Sequence, residues 1–132
     1  MTLRYLVDTD WAIHWLNRNP EVVRRLEELQ GDGVAIAMAS LAELYEGVYY
    51  STDPPGNERA LNDFLRGVVI LGIDQEICKV FGRERGRLRA AKKTIGDLDL
   101  LIASTALHHD VTLLTNNRRH FEMVSGLRVI SL

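Results

Sequence analysis

Acidic and amide side chains occur in this sequence directly after apolar stretches or at the starts of helical patterns. Four separate segments of the chain carry them. Clustered carboxylates raise each other's pKa unless a cation neutralises them, so a convergence of these segments would favour a bound metal ion. The residues are Asp8, Thr9 and Asp10; Glu43; Asp97 and Asp99; and Asn116 and Asn117.

The types of these side chains indicate which metal and which reaction to expect. Oxygen ligands without neighbouring cysteines suit a hard cation, Mg²⁺ or Mn²⁺, better than a structural zinc. Such an ion keeps several waters and takes further ligands from a phosphate. It makes a water a better nucleophile and stabilises charge on phosphoryl oxygens. The residues therefore predict metal-assisted phosphoryl chemistry with Mg²⁺ or Mn²⁺ as cofactor.

Alternating strand and helix patterns would bring these segments together. Short apolar runs predict strands at Leu3–Val7, Val34–Met38, Val68–Ile73, Val111–Thr115 and Leu127–Ser131. Helical patterns lie between them, among them Gln75–Ala91 and Asp97–Leu107, whereas Thr52–Asn57 and Asn116–His120 are predicted as turns or loops. This alternation favours an α/β fold with a parallel sheet and helices on both faces. In such sheets ligands bind beyond the carboxyl ends of the strands, which is where the acids would meet.

Most of these residues also have an ordinary structural explanation. Glu43 could complete a capping box with Ser40 at the start of a helix. Asp10 could cap the helix that follows it. Asp8 has no such duty in the sequence pattern, because a short acid that ends an apolar strand caps nothing. The remaining four could complement a helix dipole or form a turn: Asp97, Asp99, Asn116 and Asn117.

Composition bounds the class of protein. The 132 residues are one domain's worth, 46% of them are apolar and 26% are charged, as in soluble globular proteins. The longest runs without a charged residue are ten residues, which excludes a membrane span, and Asp8 interrupts the first apolar run, so no signal peptide is expected. The lone Cys78 forms no internal disulfide and is predicted as a small core residue. The cytoplasm is the expected compartment.

Charge is uneven along the chain although the net charge is only −2. The stretch 83–93 carries six basic residues against one acid. If the protein binds a polyanion such as RNA, this stretch is the first candidate contact, although arginines spread around a helix are also typical of a solvated face. The candidates are Arg83, Arg85, Arg87, Arg89, Lys92 and Lys93.

Four segments in this order and spacing resemble the PIN-domain ribonucleases, and in particular the VapC-type toxins of prokaryotic toxin–antitoxin pairs. They are Tyr5–Asp10, Ser40–Gly47, Gly96–Ala103 and Thr115–Asn117, and the similarity extends to the end of the chain at residues 126–129. The resemblance implies a single PIN domain over residues 1–132, with a three-layer α/β/α architecture and a mostly parallel central sheet.

The resemblance also implies a function and roles for the acids. It implies a Mg²⁺- or Mn²⁺-dependent endoribonuclease that cuts structured RNA of the tRNA or rRNA class. Asp8, Glu43 and Asp99 would be its metal-binding carboxylates and Asp97 an auxiliary one. Asn117 lies where relatives often have a fourth acid, and Asp10 where they often have an asparagine. A homodimer and a small VapB-like antitoxin that binds near the acidic pocket are implied as well.

Two other interpretations remain at this point. A haloacid-dehalogenase-like phosphohydrolase would use Asp8 as its nucleophile, because Asp8–Asp10 has the form of a strand-terminal DxD motif. However, Trp11 and Ala12 replace the usual Gly-Thr, and Glu43 would have no role. A non-catalytic α/β binding module would not need acids at all three principal positions.

Overall fold

The computed structural model describes residues 2–132, in which short strands alternate with helices. The strands are β1 (Tyr5–Val7), β2 (Val34–Ala37), β3 (Val69–Leu71), β4 (Thr112–Leu114) and β5 (Val129–Ile130). The α-helices are α1 (Thr9–Leu16), α2 (Pro20–Leu29), α3 (Met38–Tyr49), α4 (Pro54–Leu65), α5 (Gln75–Ala90), α6 (Asp97–His109) and α7 (Arg118–Phe121). No helix within residues 2–132 is long and apolar enough to cross a lipid bilayer.

The strands form one sheet in the order β3-β2-β1-β4-β5, and every neighbouring pair is parallel. The chain builds the sheet outwards from β1 through β2 and β3, then crosses to the other side of β1 for β4 and β5. The direction of winding therefore reverses between β1 and β4. Ligands in open parallel sheets bind at such a reversal, beyond the carboxyl ends of the strands. Asp8 follows β1 and Thr115 follows β4 at this point.

Helices cover both faces of the sheet. Because successive side chains of a strand point to opposite faces, the register places two rows of buried residues back to back. The row Leu6, Ala35 and Leu113 packs mainly against α5 and α6. The row Val7, Ile36 and Leu114 packs against α1 to α4. This arrangement confirms the predicted three-layer α/β/α architecture.

Two helices begin earlier than their sequences predict. Helix α4 begins at Pro54, within the predicted loop, because Asp53 is its N-cap and its Oδ1 accepts a hydrogen bond from the Gly56 N–H at 3.2 Å. A proline in the first turn costs the helix no hydrogen bond. Helix α3 begins at Met38, directly after β2, with Ala37 as its N-cap. Ser40 is therefore inside the helix, and the capping-box explanation of Glu43 is wrong.

Four smaller expectations also need correction. The predicted turn Asn116–His120 contains the start of α7, and all five strands are shorter than their apolar runs. Cys78 is exposed, because its neighbour Ile77 occupies the buried face of α5. Asp8, rather than Asp10, is the N-cap of α1. The last point matters most, since it fixes the direction of the Asp8 side chain.

Candidate active site

Asp8 is the buried acid at the centre of the site, with only 4% of its surface exposed. Its Oδ1 accepts a hydrogen bond from the Thr9 N–H at 2.8 Å, which caps α1. Its Oδ2 accepts one from the Thr115 hydroxyl at 2.7 Å. Because donors from the ends of β1 and β4 hold both oxygens, the carboxyl group has one defined orientation. The expectation that this residue has no capping role is wrong.

The surroundings of Asp8 favour its protonated form. The pKa of Asp8 is raised from 3.8 to about 7, and burial is the largest cause. The nearby negative charges of Asp10 and Asp99 contribute to this rise. The hydrogen bonds from Thr115 and Thr9 oppose the rise, because they stabilise the carboxylate. A group with such a pKa is typical of functional sites, where burial and like charges are concentrated.

Asp10 joins α1 to the segment after β4. Its Oδ1 accepts from the Trp11 N–H at 2.7 Å, and its Oδ2 accepts from the Asn116 N–H at 2.9 Å. The Asn116 side chain in turn accepts from the Trp11 indole N–H at 3.0 Å. The two bonds to Asn116 link positions more than a hundred residues apart in the chain. Asp10 and Asn116 therefore hold the two sides of the site together.

Glu43 reaches the site from α3. The Thr9 hydroxyl donates to Glu43 Oε1 at 2.8 Å, while the Thr9 N–H donates to Asp8. Thr9 thus touches both acids and spans the distance between their two elements.

One helical turn before Glu43, the hydroxyl of Ser40 is fully buried and has no hydrogen-bond partner among the residues that the structure describes. Residues three apart on a helix share a face, so this hydroxyl lies on the side of Glu43.

Asp99 has a partner that the sequence did not indicate. Its Oδ2 lies 3.3 Å from Nδ1 of His120 on α7, and the same nitrogen lies 3.1 Å from the Asn117 amide nitrogen. One ring nitrogen cannot donate to Asp99 and accept from Asn117 at the same time, so the two contacts correspond to different positions of the proton. The available signal in the sequence was the spacing of Asn117 and His120, which are three residues apart, because side chains at this spacing meet in a helical turn.

Asp97 points away from this group. Its side chain is 83% exposed, and its Oδ1 accepts from Arg85 Nη2 at 2.7 Å. Residues two apart in a helix face nearly opposite directions, so Asp97 and Asp99 cannot present their carboxylates to the same point without a change of side-chain direction. Its role as an auxiliary metal-binding acid stays a prediction.

The basic stretch divides into two groups. Arg85 and Arg87 have partners within the protein: Arg85 also donates to the Ile95 carbonyl, and Arg87 donates to Glu84 and to the Met123 carbonyl. A solvated face is therefore the wrong description for Arg85, whereas Arg87 is exposed and makes its contacts at the surface. The other four candidates are exposed as well: Arg83, Arg89, Lys92 and Lys93.

The donor chemistry of the site fits a hard divalent cation. A buried carboxyl group with two further carboxylates near enough to raise its pKa is the arrangement that such a cation would relieve. Within residues 2–132, however, no three acidic, histidine or cysteine side chains are close enough to enclose a metal ion. The Thr115 hydroxyl contacts Asp8 and Asp10, the Thr9 hydroxyl contacts Glu43, and the His120 ring contacts Asp99 instead. Binding a cation would need these side chains to move.

A groove leads away from Glu43 along α1 and α4. A cavity of about 270 Å³ is lined by Glu43, Leu16 and Ala60 among others. Leu16 and Ala60 also line a second cavity of about 500 Å³, which extends to Trp15 and Arg24. Because the two cavities share Leu16 and Ala60, they adjoin in a partly apolar groove, lined by α1, α2, α3 and α4, that ends beside Glu43.

Comparisons with known proteins agree with one another. The family model described as "PIN domain" matches residues 5–127. Ribonuclease VapC2 of Haemophilus influenzae is 33% identical over 127 residues, which are 96% of each chain. A protein of Shigella flexneri named tRNA(fMet)-specific endonuclease VapC is 29% identical over 126 residues, again 96% of each chain.

A solved structure gives the same result in three dimensions. It is the crystal structure of VapBC2 from Rickettsia felis bound to a DNA fragment from their promoter. The match covers 98% of this chain and 99% of that one, with a TM-score of 0.94 and 30% identity. These matches do not support the phosphohydrolase alternative, which predicted a different family. The topology, the acids at the reversal of the sheet and the comparisons lead to one conclusion: the chain belongs to the PIN domain family.

Proposed function

We propose that this protein is a metal-dependent endoribonuclease of the VapC type, which hydrolyses phosphodiester bonds in structured RNA. The observation that carries the proposal is the buried Asp8, held at the reversal of the sheet with Glu43 and Asp99 approaching from two other segments. Relatives that align over nearly the whole chain bear the names ribonuclease and endonuclease. A non-catalytic binding module would gain nothing from a buried acid with a raised pKa.

Asp8, Glu43 and Asp99 are the residues that would hold a divalent cation, Mg²⁺ or Mn²⁺, with Asp97 as an auxiliary acid. When bound, such a cation supplies a more nucleophilic water and stabilises charge on the phosphoryl oxygens. The chain's own groups orient these acids. Thr115 and the Thr9 N–H fix the two oxygens of Asp8, and the Thr9 hydroxyl directs Glu43.

The surrounding residues complete the binding of substrate. The exposed cations at the end of α5 suit contacts to the phosphate backbone of RNA, because each neutralised phosphate releases a counterion. Asn117 is uncharged and lies at the position where relatives often have a fourth acid. The site is therefore less negative than one with four carboxylates and would attract fewer cations. The substrate is a structured RNA of the tRNA or rRNA class, and the name of one relative, a tRNA(fMet)-specific endonuclease, favours tRNA. The enzyme would act in the cytoplasm, where these RNAs are found.

A small VapB-like protein is the proposed antitoxin, and the active form is proposed to be a homodimer. Structure neighbours are complexes of VapC-type proteins with such partners. The groove that ends beside Glu43 offers an apolar surface for a partner segment. From there a basic side chain of the partner can reach the acids and neutralise them, which would inhibit the enzyme.

Cleavage of transcribed initiator tRNA tests the proposal. Purified wild-type protein is incubated with the tRNA and either Mg²⁺ or EDTA, beside Asp8→Asn and Glu43→Gln. We expect discrete fragments from the wild type in Mg²⁺ only, and a loss of at least 1,000-fold in rate for both variants, which is about 4 kcal/mol of transition-state stabilisation. Asp32→Asn is the matched control, because Asp32 is exposed just before β2, at the opposite edge of the sheet.

Two results would contradict the proposal. Cleavage that persists in Asp8→Asn would mean that a contaminating nuclease produces the fragments. A wild type that cleaves neither initiator tRNA nor any RNA of a total RNA pool, although it binds Mn²⁺, would contradict the ribonuclease assignment. Hydrolysis of p-nitrophenyl phosphate in its place would revive the phosphohydrolase alternative.

A further inference from the structure

Arg85 is turned inwards, unlike its basic neighbours on α5. Its side chain is 16% exposed, and its guanidinium lies 5.5 Å from the centre of the Phe81 ring. Nη1 donates to the Ile95 carbonyl at 2.8 Å, and Nη2 donates to Asp97 Oδ1 at 2.7 Å. Both acceptors belong to the chain just before and at the start of α6. Arg85 therefore contacts α6 at the end that carries Asp99.

The start of α6 lacks a cap of its own. Its N-cap residue is Gly96, which has no side chain to accept a hydrogen bond from the first turn. The two acceptors of Arg85, Ile95 and Asp97, stand on either side of this glycine. An uncapped helix end frays more readily, because its first N–H groups have no partner. Arg85, which belongs to α5, therefore stabilises the first turn of α6 in place of a capping side chain of α6 itself.

We propose that Arg85 is a positioning residue, which orders the first turn of α6 and so holds the carboxylate of Asp99 towards the active site. The inference rests on the proposed function in one respect, namely that Asp99 binds the cation. It assigns to Arg85 a role within the protein instead of the RNA contact that the charge pattern predicts.

The chemistry of the side chain supports this role. A guanidinium is planar and presents donors in two directions, so it can bind a carbonyl and a carboxylate at once. A lysine at this position keeps the charge and much of the packing on Phe81, but it lacks the planar fork whose two nitrogens contact Ile95 and Asp97 separately. A phosphate of RNA would have to compete with two short hydrogen bonds that Arg85 already makes.

Amide hydrogen exchange tests the positioning directly. The Leu100 N–H donates to the Gly96 carbonyl at 2.9 Å in the first hydrogen bond of α6, so its exchange rate reports on this turn. In metal-free protein we expect Arg85→Lys to raise that rate at least tenfold. Arg89→Lys makes the same chemical change at an exposed position of α5 and should leave the rate unchanged. An unchanged rate in Arg85→Lys would overturn the proposal.

Mn²⁺ affinity, measured by calorimetry, tests the consequence for Asp99. Residues that orient metal ligands typically change affinity by about 10- to 100-fold, and we expect Arg85→Lys to weaken Mn²⁺ binding by that factor. Arg89→Lys should bind Mn²⁺ as the wild type does. A wild type without affinity for Mn²⁺ would contradict the proposed function, while the exchange measurement would still decide the role of Arg85.

A second substitution tests the route from Arg85 to Asp99. Gly96→Ser supplies a capping hydroxyl, its extended backbone suits an N-cap, and a Cβ at this position meets no heavy atom within 4 Å. In the double variant Arg85→Lys, Gly96→Ser we expect both slow exchange and Mn²⁺ affinity to return. Restored exchange without restored affinity would overturn the link to Asp99. Weaker affinity without faster exchange would show that Arg85 acts directly, and would overturn the proposal as well.

Discussion

Replacing Asp8 by asparagine should stabilise the metal-free protein, by an amount that grows with pH. The side chain keeps its shape, and an amide can still satisfy the surrounding groups. Its oxygen can accept from the Thr9 N–H, and its nitrogen can donate to the Thr115 hydroxyl, which can then turn towards Asp10 at 3.4 Å. What the substitution removes is the cost of ionising a buried carboxyl group beside two other acids.

The magnitude follows from the pKa of Asp8. The folded protein raises it from 3.8 to about 7, so the native state binds this proton more tightly than the unfolded chain does. The stability that the proton contributes is complete below the unfolded pKa and is lost as the pH rises through the folded one. Since each pKa unit corresponds to about 1.4 kcal/mol, the wild type loses about 4 kcal/mol between pH 3 and pH 8 through this group. The variant loses none of it.

Urea denaturation in EDTA at several pH values provides the assay. The free energy of unfolding of Asp8→Asn minus that of the wild type should rise by about 4 kcal/mol from pH 3 to pH 8, with most of the rise between pH 4 and pH 7. Asp32→Asn removes one acid from the exposed surface and controls for the change in net charge. Saturating Mn²⁺ at pH 8 should reverse the order, because it stabilises only a protein that binds it.

A difference that stays constant from pH 3 to pH 8 would refute the reasoning. It would mean that Asp8 ionises in the folded protein as easily as in the unfolded chain, and so that water reaches the carboxyl group. The central position assigned to Asp8 in the proposed site would then lack its electrostatic support.

Two further substitutions and one series of charge neutralisations give separate tests. Ser40→Ala removes a buried hydroxyl without a partner and should stabilise the metal-free protein by about 1 kcal/mol in urea denaturation; a loss of that size would reveal a missed hydrogen bond. Lys92→Gly relieves a left-handed residue with φ of 58° and should raise stability by about 1 kcal/mol, whereas an unchanged melting temperature would mean that the strain is absent. Neutralising one exposed cation at a time should reduce the magnitude of the slope of the logarithm of the RNA-binding constant against the logarithm of the salt concentration by about 0.7–0.9 for each residue. An unchanged slope would place the RNA elsewhere. The residues to be neutralised are Arg83, Arg89, Lys92 and Lys93.

The boundaries of the helices show where sequence patterns lose their accuracy. The pattern Ser40–Glu43 has the form of a capping box, but β2 runs into α3 without a turn and the helix begins at Met38. Helix α4 similarly extends back into a segment of two prolines that reads as a loop. Helix ends depend on which backbone groups find partners, and those partners are set by the neighbouring strand or turn and not by propensity alone.

The sequence by itself determined the α/β class, the order of the strands and the acids at the carboxyl edge, because these follow from apolar periodicity and from the few residues after each strand. Only the tertiary structure decided which polar groups meet. It paired His120 with Asp99, Thr9 with Glu43 and Arg85 with the start of α6. These partners lie 10 to 34 residues apart, and a charge pattern does not distinguish an arginine in solvent from one bound to a carbonyl outside its own helix. Such contacts arise only when packing of the two apolar faces brings separate helices to the same edge of the sheet.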